Sequence, residues 1–245
     1  MKITPIKTPK VKIDCDILDV IESSLPKIKD NSIISVTSKI VSICEGSIVP
    51  LDTIEKKDLV YREADLYLPK EKNKYGTILT IKNDIMIPTS GIDESNGDGF
   101  YILWPKDAYE SANKIRKYFK EKYNLKNFGV IITDSKTTPL RLGTTGIAIG
   151  YSGFKPLNNY IGKRDIFGKK MKITKANIMD GLAVASVLVM GEGSEQTPLA
   201  LIEEVPFVTF SDKNPSKKEI NSLRIKLEND LYGELLTSVD WKTQK

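Results

Sequence analysis

The sequence predicts a mixed α/β fold of the α+β class, because strand-like and helix-like segments mix without a strict βαβ order. Residues 32–38 and 127–133 are short apolar runs of the kind that form buried strands. Residues 106–123 place apolar side chains at helical spacing and form the clearest predicted helix. A chain of 245 residues can build one domain over its whole length, 1–245, with room for two subdomains.

Apolar periodicity and turn residues predict the remaining elements. Helices are predicted at 16–25, 53–68, 173–190 and 215–232, and strands at 77–82, 85–88, 146–153 and 199–208. Thr174 is the predicted N-cap of the 173–190 helix, and Asn83 with Asp84 suits a turn between two strands. Asp134 stands at the C-terminal end of a buried strand, which is where ligands gather in open α/β sheets.

Composition excludes several kinds of chemistry. The chain has no histidine, so a Ser-His-Asp triad and a His-ligated metal are both excluded. Any bound metal would have oxygen ligands, which favours magnesium or manganese. The net charge of +5 is modest and no nucleic-acid-binding motif is present, so no nucleic-acid partner is predicted.

The N-terminus and the cysteines favour a cytoplasmic location. No apolar run approaches the roughly 18 residues of a membrane span, and the N-terminus lacks the apolar segment of a signal peptide. We therefore expect no membrane association. Cys15 and Cys44 lack metal-binding or redox-motif spacing, so two free thiols in a reducing cytoplasm are expected.

Three loops, each at the end of an apolar element, carry the candidate chemistry. Their polar residues are Asp93, Glu94, Ser95 and Asn96 in the first, Asp134, Ser135, Lys136 and Arg141 in the second, and Glu192 and Glu195 in the third. Magnesium is bound by carboxylates together with substrate phosphates, and two such ions can clamp a phosphoryl group during transfer. Lys39 and Arg141 could then neutralise charge on the phosphates.

Each loop also has a purely structural interpretation. Asp, Ser and Asn often stabilise turns, and a Gly-Glu-Gly sequence can simply end a helix. Neither a Walker A sequence nor GxGxxG is present, so the common nucleotide-binding folds are not indicated. The residues by themselves predict a metal- and phosphate-binding enzyme, and they do not specify its reaction or substrate.

Five ordered motifs extend this prediction. The sequences SGIDESN, GVIITDS, GIAIGYSG, YIGKRDIFGKKMKIT and ASVLVMGEG occur in this order, and together they resemble the coenzyme F-420-0:L-glutamate ligase (γ-glutamyl ligase) family. The resemblance is good over residues 88–203 and weaker over 30–50. It implies a mixed α/β fold without a P-loop and an intertwined homodimer. It also implies that GTP and a divalent metal are used to join L-glutamate to a carboxylate acceptor through an acyl phosphate.

The resemblance also implies roles for particular residues. The implied metal ligands are Asp93, Asp134, Ser135 and Glu192. The implied nucleotide contacts are Ser38, Lys39 and Asn96. Catalysis is expected to depend on Asp134 and Arg141. Two magnesium or manganese ions and GTP are the implied cofactor and co-substrate, and a need for potassium stays open.

This chain departs from the family pattern on the substrate and phosphate side. Thr138 stands where family members have an arginine and Ile43 where they have a lysine, while Lys39 is new in its neighbourhood. Residues 162–203 are similar to a bacterial branch described as folate-metabolism γ-glutamate ligases, so the expected acceptor is a folate or F-420-0. A non-catalytic nucleotide- and metal-binding module with a ligase-like fold is the alternative.

Overall fold

The computed structural model describes residues 1–69 and 74–244. In chain order its strands are β1 (Lys2–Ile6), β2 (Ser32–Thr37), β3 (Ile48–Pro50), β4 (Leu66–Leu68), β5 (Leu79–Lys82), β6 (Ile85–Pro88), β7 (Phe100–Ile102), β8 (Phe128–Thr137), β9 (Thr144–Ser152), β10 (Leu157–Asn159), β11 (Lys175–Asn177) and β12 (Leu199–Glu203). Its helices are α1 (Ile17–Ser24), α2 (Ser38–Cys44), α3 (Lys56–Glu63), α4 (Ala108–Lys122), α5 (Ile178–Met190), α6 (Lys217–Leu223) and α7 (Gly233–Thr237). Among these described helices, none is long and apolar enough to cross a membrane. The mixture of elements confirms the predicted α/β class.

A five-stranded sheet in the order β1-β12-β2-β8-β9 forms the centre of the fold. β2 and β8 run parallel, whereas the other neighbouring strands are antiparallel. Alternate residues face opposite sides of a sheet. Ile34 and Val36 accordingly pack with α1, α2 and α4, whereas Ile33 and Ile131 pack with α5. Helices cover both faces, which explains why the central strands read as continuous apolar runs.

Three smaller sheets, β4-β5-β6, β3-β7 and β10-β11, accompany the central one. The turn between β5 and β6 is the predicted one, since Asn83 and Asp84 have φ of 52° and 61°. Two successive left-handed residues suit a tight hairpin, and Asn and Asp tolerate this conformation. The helices predicted at 16–25 and 106–123 are also confirmed, as α1 and α4.

The helix predicted at 53–68 is shorter than expected. α3 ends at Glu63, and residues 66–68 pair with β5 as the strand β4. Pairing with a strand more than ten residues further along the chain therefore overrides the local helical preference, which is a weak determinant.

The helix predicted at 173–190 begins later than expected. α5 starts at Ile178 and has Asn177, rather than Thr174, as its N-cap. The Asn177 side chain accepts a hydrogen bond from the backbone N–H of Asp180, as an N-cap should. The preceding residues form β11 and pair with β10, which local periodicity could not reveal.

The amphipathic helix predicted at 215–232 is largely wrong. α6 is short and buries none of its residues. Ile225 and Leu231, which lie within the predicted helix, are 58% and 91% exposed. Most of the stability of a helix in a protein comes from packing of its apolar face. Leu223 packs against the core at the end of α6, and the chain leaves the helix after it.

Cys15 and Cys44 form a disulfide, so the prediction of two free thiols is wrong. Cys15 precedes α1 and Cys44 ends α2, and these helices pack together. Their Cα atoms lie 5.0 Å apart, which is within the range that a disulfide spans. The two cysteines are 29 residues apart, so no short spacing motif could have indicated the pairing.

Candidate active site

The candidate site lies at the carboxyl ends of two parallel strands. β2 and β8 are in register with Thr37 opposite Thr133, so Ser38 and Asp134 follow at the same edge of the sheet. Ser38 is buried and is the first residue of α2. Lys39 follows it and is close enough to Asp134 to influence that carboxyl electrostatically. Ligands collect at this edge in open α/β sheets.

Asp93, from the first acidic loop, is held by Lys39. The Lys39 Nζ lies 2.7 Å from Asp93 Oδ2 and also donates to the carbonyl and hydroxyl oxygens of Ser95 at 3.0 and 3.1 Å. Ser95 in turn donates its backbone N–H and its hydroxyl to the two Asp93 oxygens. Burial raises the pKa of Asp93, but the Lys39 ammonium and the Ser95 donors outweigh burial and hold the pKa below its ordinary value. Asp93 is therefore ionised at neutral pH.

Asp134 has the opposite electrostatic character. Burial raises the pKa of its carboxyl to about 6, although hydrogen bonds from Trp104 and Ser135 act against this. The indole N–H of Trp104 donates to Asp134 Oδ2, and the backbone N–H of Ser135 donates to Oδ1 at 2.8 Å. Asp93 raises the pKa of Asp134 and Lys39 lowers it, so the two acids and the lysine form one electrostatic group.

The third loop, after α5, joins the other two. The Ser135 hydroxyl donates to Glu192 Oε1 at 2.6 Å, and the Asn96 side-chain amide donates to the carbonyl of Gly193 at 3.3 Å. Glu195 folds back within the same loop and accepts the Gly193 N–H at 2.8 Å. The structure thus brings all three predicted acidic loops together, with Glu192 on the side of Asp134.

The turn that leads into the first acidic loop is strained, and Trp104 packs on it. Thr89 and Ser90 have φ of 52° and 55°, a conformation that non-glycine residues rarely adopt. Ser90 is buried, and its hydroxyl donates to a backbone carbonyl of α3 at 3.0 Å. A Cβ on Gly91 would overlap the Trp104 indole, so glycine lets the ring approach the turn. Strain of this kind clusters at functional sites.

Arg141 is not brought to the acids. It lies in the exposed loop between β8 and β9, where its backbone N–H donates to the carbonyl of Thr138 at 3.2 Å. Among the described residues, no ion pair joins its side chain to Asp93, which Lys39 contacts instead. The catalytic role expected for Arg141 therefore stays a prediction.

The acids of the site do not form a complete protein cage for a metal. No three Asp, Glu or Cys side chains within residues 1–69 and 74–244 are grouped so that they could hold a metal ion. Ser135 nevertheless links two carboxylates, since its backbone N–H donates to Asp134 and its hydroxyl donates to Glu192. Magnesium commonly takes one or two carboxylates and completes its coordination with substrate phosphates and water. The donor set fits a magnesium or manganese ion that binds together with a phosphate.

Sequence reasoning missed two residues that shape this site. Trp104 contacts Asp134 from 30 residues away in sequence, and Gly91 makes room for its ring. Neither residue belongs to a recognisable motif with Asp134. Only the fold, which brings the residues after β7 and the strained turn to Asp134, joins them. A tryptophan followed directly by proline at a strand end was the one local signal.

We expect Trp104→Phe to raise the pKa of Asp134 further above its ordinary value. The substitution removes the N–H that favours the ionised carboxylate and keeps most of the ring. It should also cost about 2 kcal/mol of unfolding free energy, because the bond is made to a charged group. Carbon-13 NMR titration of the aspartate carboxyls and urea unfolding would measure the two effects in metal-free protein.

Trp241→Phe is the matched control for this experiment. Its indole N–H donates to the carbonyl of Leu236 at 2.7 Å, outside the candidate site. An unchanged Asp134 titration in Trp104→Phe, or an equal shift in Trp241→Phe, would contradict the role given to Trp104.

Comparison with known proteins identifies the family. The family described as F420-0:Gamma-glutamyl ligase matches residues 5–204. This range includes β2, the three acidic loops and every motif on which the resemblance was based. The resemblance is therefore confirmed.

Individual relatives agree with the family match. Coenzyme F420:L-glutamate ligase of Methanococcus maripaludis is 35% identical over 201 residues, which cover 76% of this chain and 80% of the relative. The enzyme of the same name from Methanocaldococcus jannaschii is 38% identical over 198 residues, covering 74% and 79%. That from Methanopyrus kandleri is 30% identical over 220 residues, covering 82% and 86%. The chain belongs to the F420-0:gamma-glutamyl ligase family, a family of glutamate ligases.

Proposed function

We propose that this protein is a GTP- and metal-dependent γ-glutamyl ligase that joins L-glutamate to a carboxylate acceptor. One observation carries the proposal: in a chain of this ligase family, three acidic loops meet at the carboxyl ends of two parallel strands. That edge supplies oxygen ligands and a lysine, which is what a site for a metal-bound triphosphate requires.

The proposed reaction has two steps. A carboxylate oxygen of the acceptor attacks the γ-phosphorus of GTP, so that an acyl phosphate forms and GDP leaves. The amino group of L-glutamate then attacks the acyl carbon, an amide bond forms, and inorganic phosphate leaves with loss of a proton from the amine. The protein's part in such a transfer is positioning and neutralisation of charge.

Two divalent ions, magnesium or manganese, are part of the proposal. Asp134, Ser135 and Glu192 would hold one ion, and Asp93 would hold the other. The ions would neutralise charge on the transferring phosphoryl group. The Lys39 ammonium lies 2.7 Å from the Asp93 carboxylate. When the nucleotide binds, this ammonium would move from the carboxylate toward a phosphate oxygen. A requirement for potassium stays open.

The nucleotide would lie along the edge that carries Ser38, Lys39 and Asn96. Asn96 already spans two of the loops through its bond to Gly193, so its position depends on both of them. Arg141 would complete the phosphate contacts only if the loop between β8 and β9 closes over the site, since its side chain is exposed in this structure.

F-420-0 and a folate are the two proposed acceptors. The curated relatives are named coenzyme F420:L-glutamate ligases, which supports F-420-0. Thr138 and Ile43 stand where the family resemblance implies basic residues, which supports an acceptor other than F-420-0. Both compounds present a carboxylate to which a glutamyl unit can be added.

Phosphate release from GTP is the experiment that tests the proposal. The protein is assayed with manganese and L-glutamate while F-420-0 and tetrahydrofolate are offered in parallel. Release with one acceptor, together with a product heavier by one glutamyl unit, is the expected result and names the substrate. No release with either acceptor, while GTP still binds, would favour the alternative.

The alternative is a non-catalytic nucleotide- and metal-binding module. One observation favours it, namely that the Arg141 side chain lies in an exposed loop away from the acids. A module of this kind would bind GTP tightly and would release no phosphate across many acceptors.

We further propose that the protein works as a homodimer in the cytoplasm, where GTP is available. Large apolar side chains are exposed in the 160–174 segment and on α5, including Phe167 at 89% and Leu188 at 81%. Leu140 and Leu142, which flank Arg141, are fully exposed as well. Exposed apolar patches of this kind mark association surfaces, and closure of the Arg141 loop would accompany dimer formation.

We expect the double substitution Phe167→Asp and Leu188→Asp to produce a monomer. Two buried charges without partners would make the apolar contact unfavourable. Sedimentation velocity would measure the change of mass, and Lys114→Asp on the exposed face of α4 is the control. A wild-type protein that is already monomeric, or a variant that stays dimeric, would contradict this interface.

A further inference from the structure

A cleft of about 420 Å³ has Trp104 among its lining residues. The lining residues come from four segments: the loop after α2, the end of α3, the turn after β5 and the residues after β7. Trp104 belongs both to this cleft and to the candidate active site, because its indole N–H donates to Asp134. An occupant of the cleft would therefore contact the residue that hydrogen-bonds Asp134.

The charged side chains of the cleft favour an anionic occupant. Three lining residues are basic and two are acidic, namely Arg62, Lys82, Lys106, Glu63 and Asp65. Both acids are already engaged, since Glu63 accepts from Lys82 at 3.0 Å and Asp65 accepts the backbone N–H of Asn83 at 2.7 Å.

Two of the basic groups remain available for a ligand. Within residues 1–69 and 74–244 the ion pair of Arg62 is with the neighbouring Glu63, at 3.6 Å, and the Arg62 side chain is 54% exposed. Lys106 is exposed and makes no ion pair with another described residue. Lys82 is different, because its side chain is only 12% exposed and its ammonium lies 5.7 Å from the centre of the Trp104 ring. The cleft thus has a largely buried lysine beside an aromatic ring on one wall. It also has two exposed cations, of which Arg62 is only weakly paired.

A second large cleft lacks these properties. It holds about 500 Å³ and its lining includes Asp30, Glu203 and Glu204 but no residue of the candidate active site. Its acids would repel a carboxylate, and an acceptor bound there would not adjoin Asp134.

We propose that the cleft lined by Trp104 is the acceptor subsite, in which Arg62 and Lys106 bind the anionic part of the acceptor. This inference rests on the proposed ligase function and adds to it the place of the second substrate. The GTP contacts proposed above, Ser38, Lys39 and Asn96, do not line the cleft, so the two substrates would reach the acids from different sides. Arg62 offers a planar fork to a carboxylate or phosphodiester, and Lys106 a compact charge.

The double variant Arg62→Met and Lys106→Met tests this subsite. Both side chains are exposed and keep their apolar stems, so the fold should survive, and thermal unfolding would verify it. Calorimetry at low salt would measure the affinity of F-420-0, tetrahydrofolate and GTP for the wild type and the variant. Loss of charge-assisted bonds should weaken acceptor binding by roughly tenfold or more and leave GTP binding unchanged.

Lys114→Met and Lys117→Met form the matched control, because they remove two positive charges from the exposed face of α4. This control should change acceptor affinity by less than about twofold, since exposed distant charges are screened. The subsite is wrong if the wild type binds neither acceptor, if both double variants bind the acceptor equally well, or if GTP affinity is what falls. If acceptor binding depends on Arg62 and Lys106 but no phosphate is released, the proposed subsite is supported and the proposed ligase activity is refuted.

Discussion

Asp134→Asn is expected to reduce phosphate release by roughly a thousandfold, because it would remove a charged oxygen from the proposed metal site, where the proposed reaction needs phosphoryl charge to be neutralised. Asp134 lies on β8 directly after the part that pairs with β2, and its two oxygens accept from Trp104 and from the backbone of Ser135. The asparagine side chain has the same size but carries no charge. Steady-state phosphate release with manganese, GTP, L-glutamate and the acceptor would measure the loss.

The variant should remain folded, since two opposing effects on stability nearly cancel. The pKa of Asp134 is raised from 3.8 to about 6 by burial, so ionising it at neutral pH costs roughly 3 kcal/mol. Asparagine avoids that cost. It has only one side-chain oxygen, however, and so it must lose one of the two hydrogen bonds to a charged group, at roughly 1.5–3 kcal/mol. The net change at pH 7.5 should lie within about 1 kcal/mol in urea unfolding.

Because the pKa of Asp134 is raised in the folded protein, the free energy of unfolding depends on pH. The folded pKa of Asp134 lies above its unfolded value, so the folded protein binds the proton more tightly. That contribution is fully present below pH 4 and is lost as the pH rises to about 6. Asp134→Asn lacks it, so in metal-free protein the variant should be less stable than the wild type at pH 4 and about equal to it at pH 7.5.

Asp180→Asn is the control for both measurements. Asp180 is also a half-buried aspartate, and its side chain accepts the backbone N–H of Ala148 at 3.1 Å. It lies on α5 outside the acidic loops, so turnover should persist. An Asp134→Asn enzyme that stays active and metal-dependent would refute the site assignment.

The local sequence predicted structure correctly where the conformation of a residue depends only on its neighbours in the chain. The apolar run of β8 predicts a buried strand, and Asp134 at its end follows without knowledge of any partner. Asn83 and Asp84 likewise adopt the left-handed conformation that their side chains tolerate. The 53–68 and 173–190 helices failed for the converse reason, since strands from other segments pair with part of each.

The candidate site is a long-range assembly, and local pattern supplied its pieces without their contacts. Ser135 and Glu192 are 57 residues apart, and Asn96 and Gly193 are 97 apart. Their association was expected only through the family resemblance. Trp104 had no such support, because no motif contains it, and the strained turn that admits its ring is visible only in backbone angles.

Removing the disulfide by the double substitution Cys15→Ser and Cys44→Ser should lower the free energy of unfolding by about 3–4 kcal/mol in oxidised protein. The bridge closes a loop of 29 residues, and the loss follows from the freedom that the unfolded chain regains in the chain-entropy description of such links. Urea unfolding without reductant would measure it. Reduced wild type and reduced variant should be equally stable, which separates the bridge from any packing effect of serine.

Turnover should not change with the bridge, although α2 carries Lys39 at one end and Cys44 at the other. Lys39 is fixed by three contacts to Asp93 and Ser95, and Ile40 and Val41 anchor the same helix in the core. The disulfide therefore adds stability to a helix whose other end, at Lys39, is held independently. Thiol titration tests whether the Cys15–Cys44 disulfide forms. Two reactive thiols in unfolded, unreduced protein would show that it does not. A large loss of turnover in the folded Cys15→Ser and Cys44→Ser variant would instead show that the bridge positions Lys39.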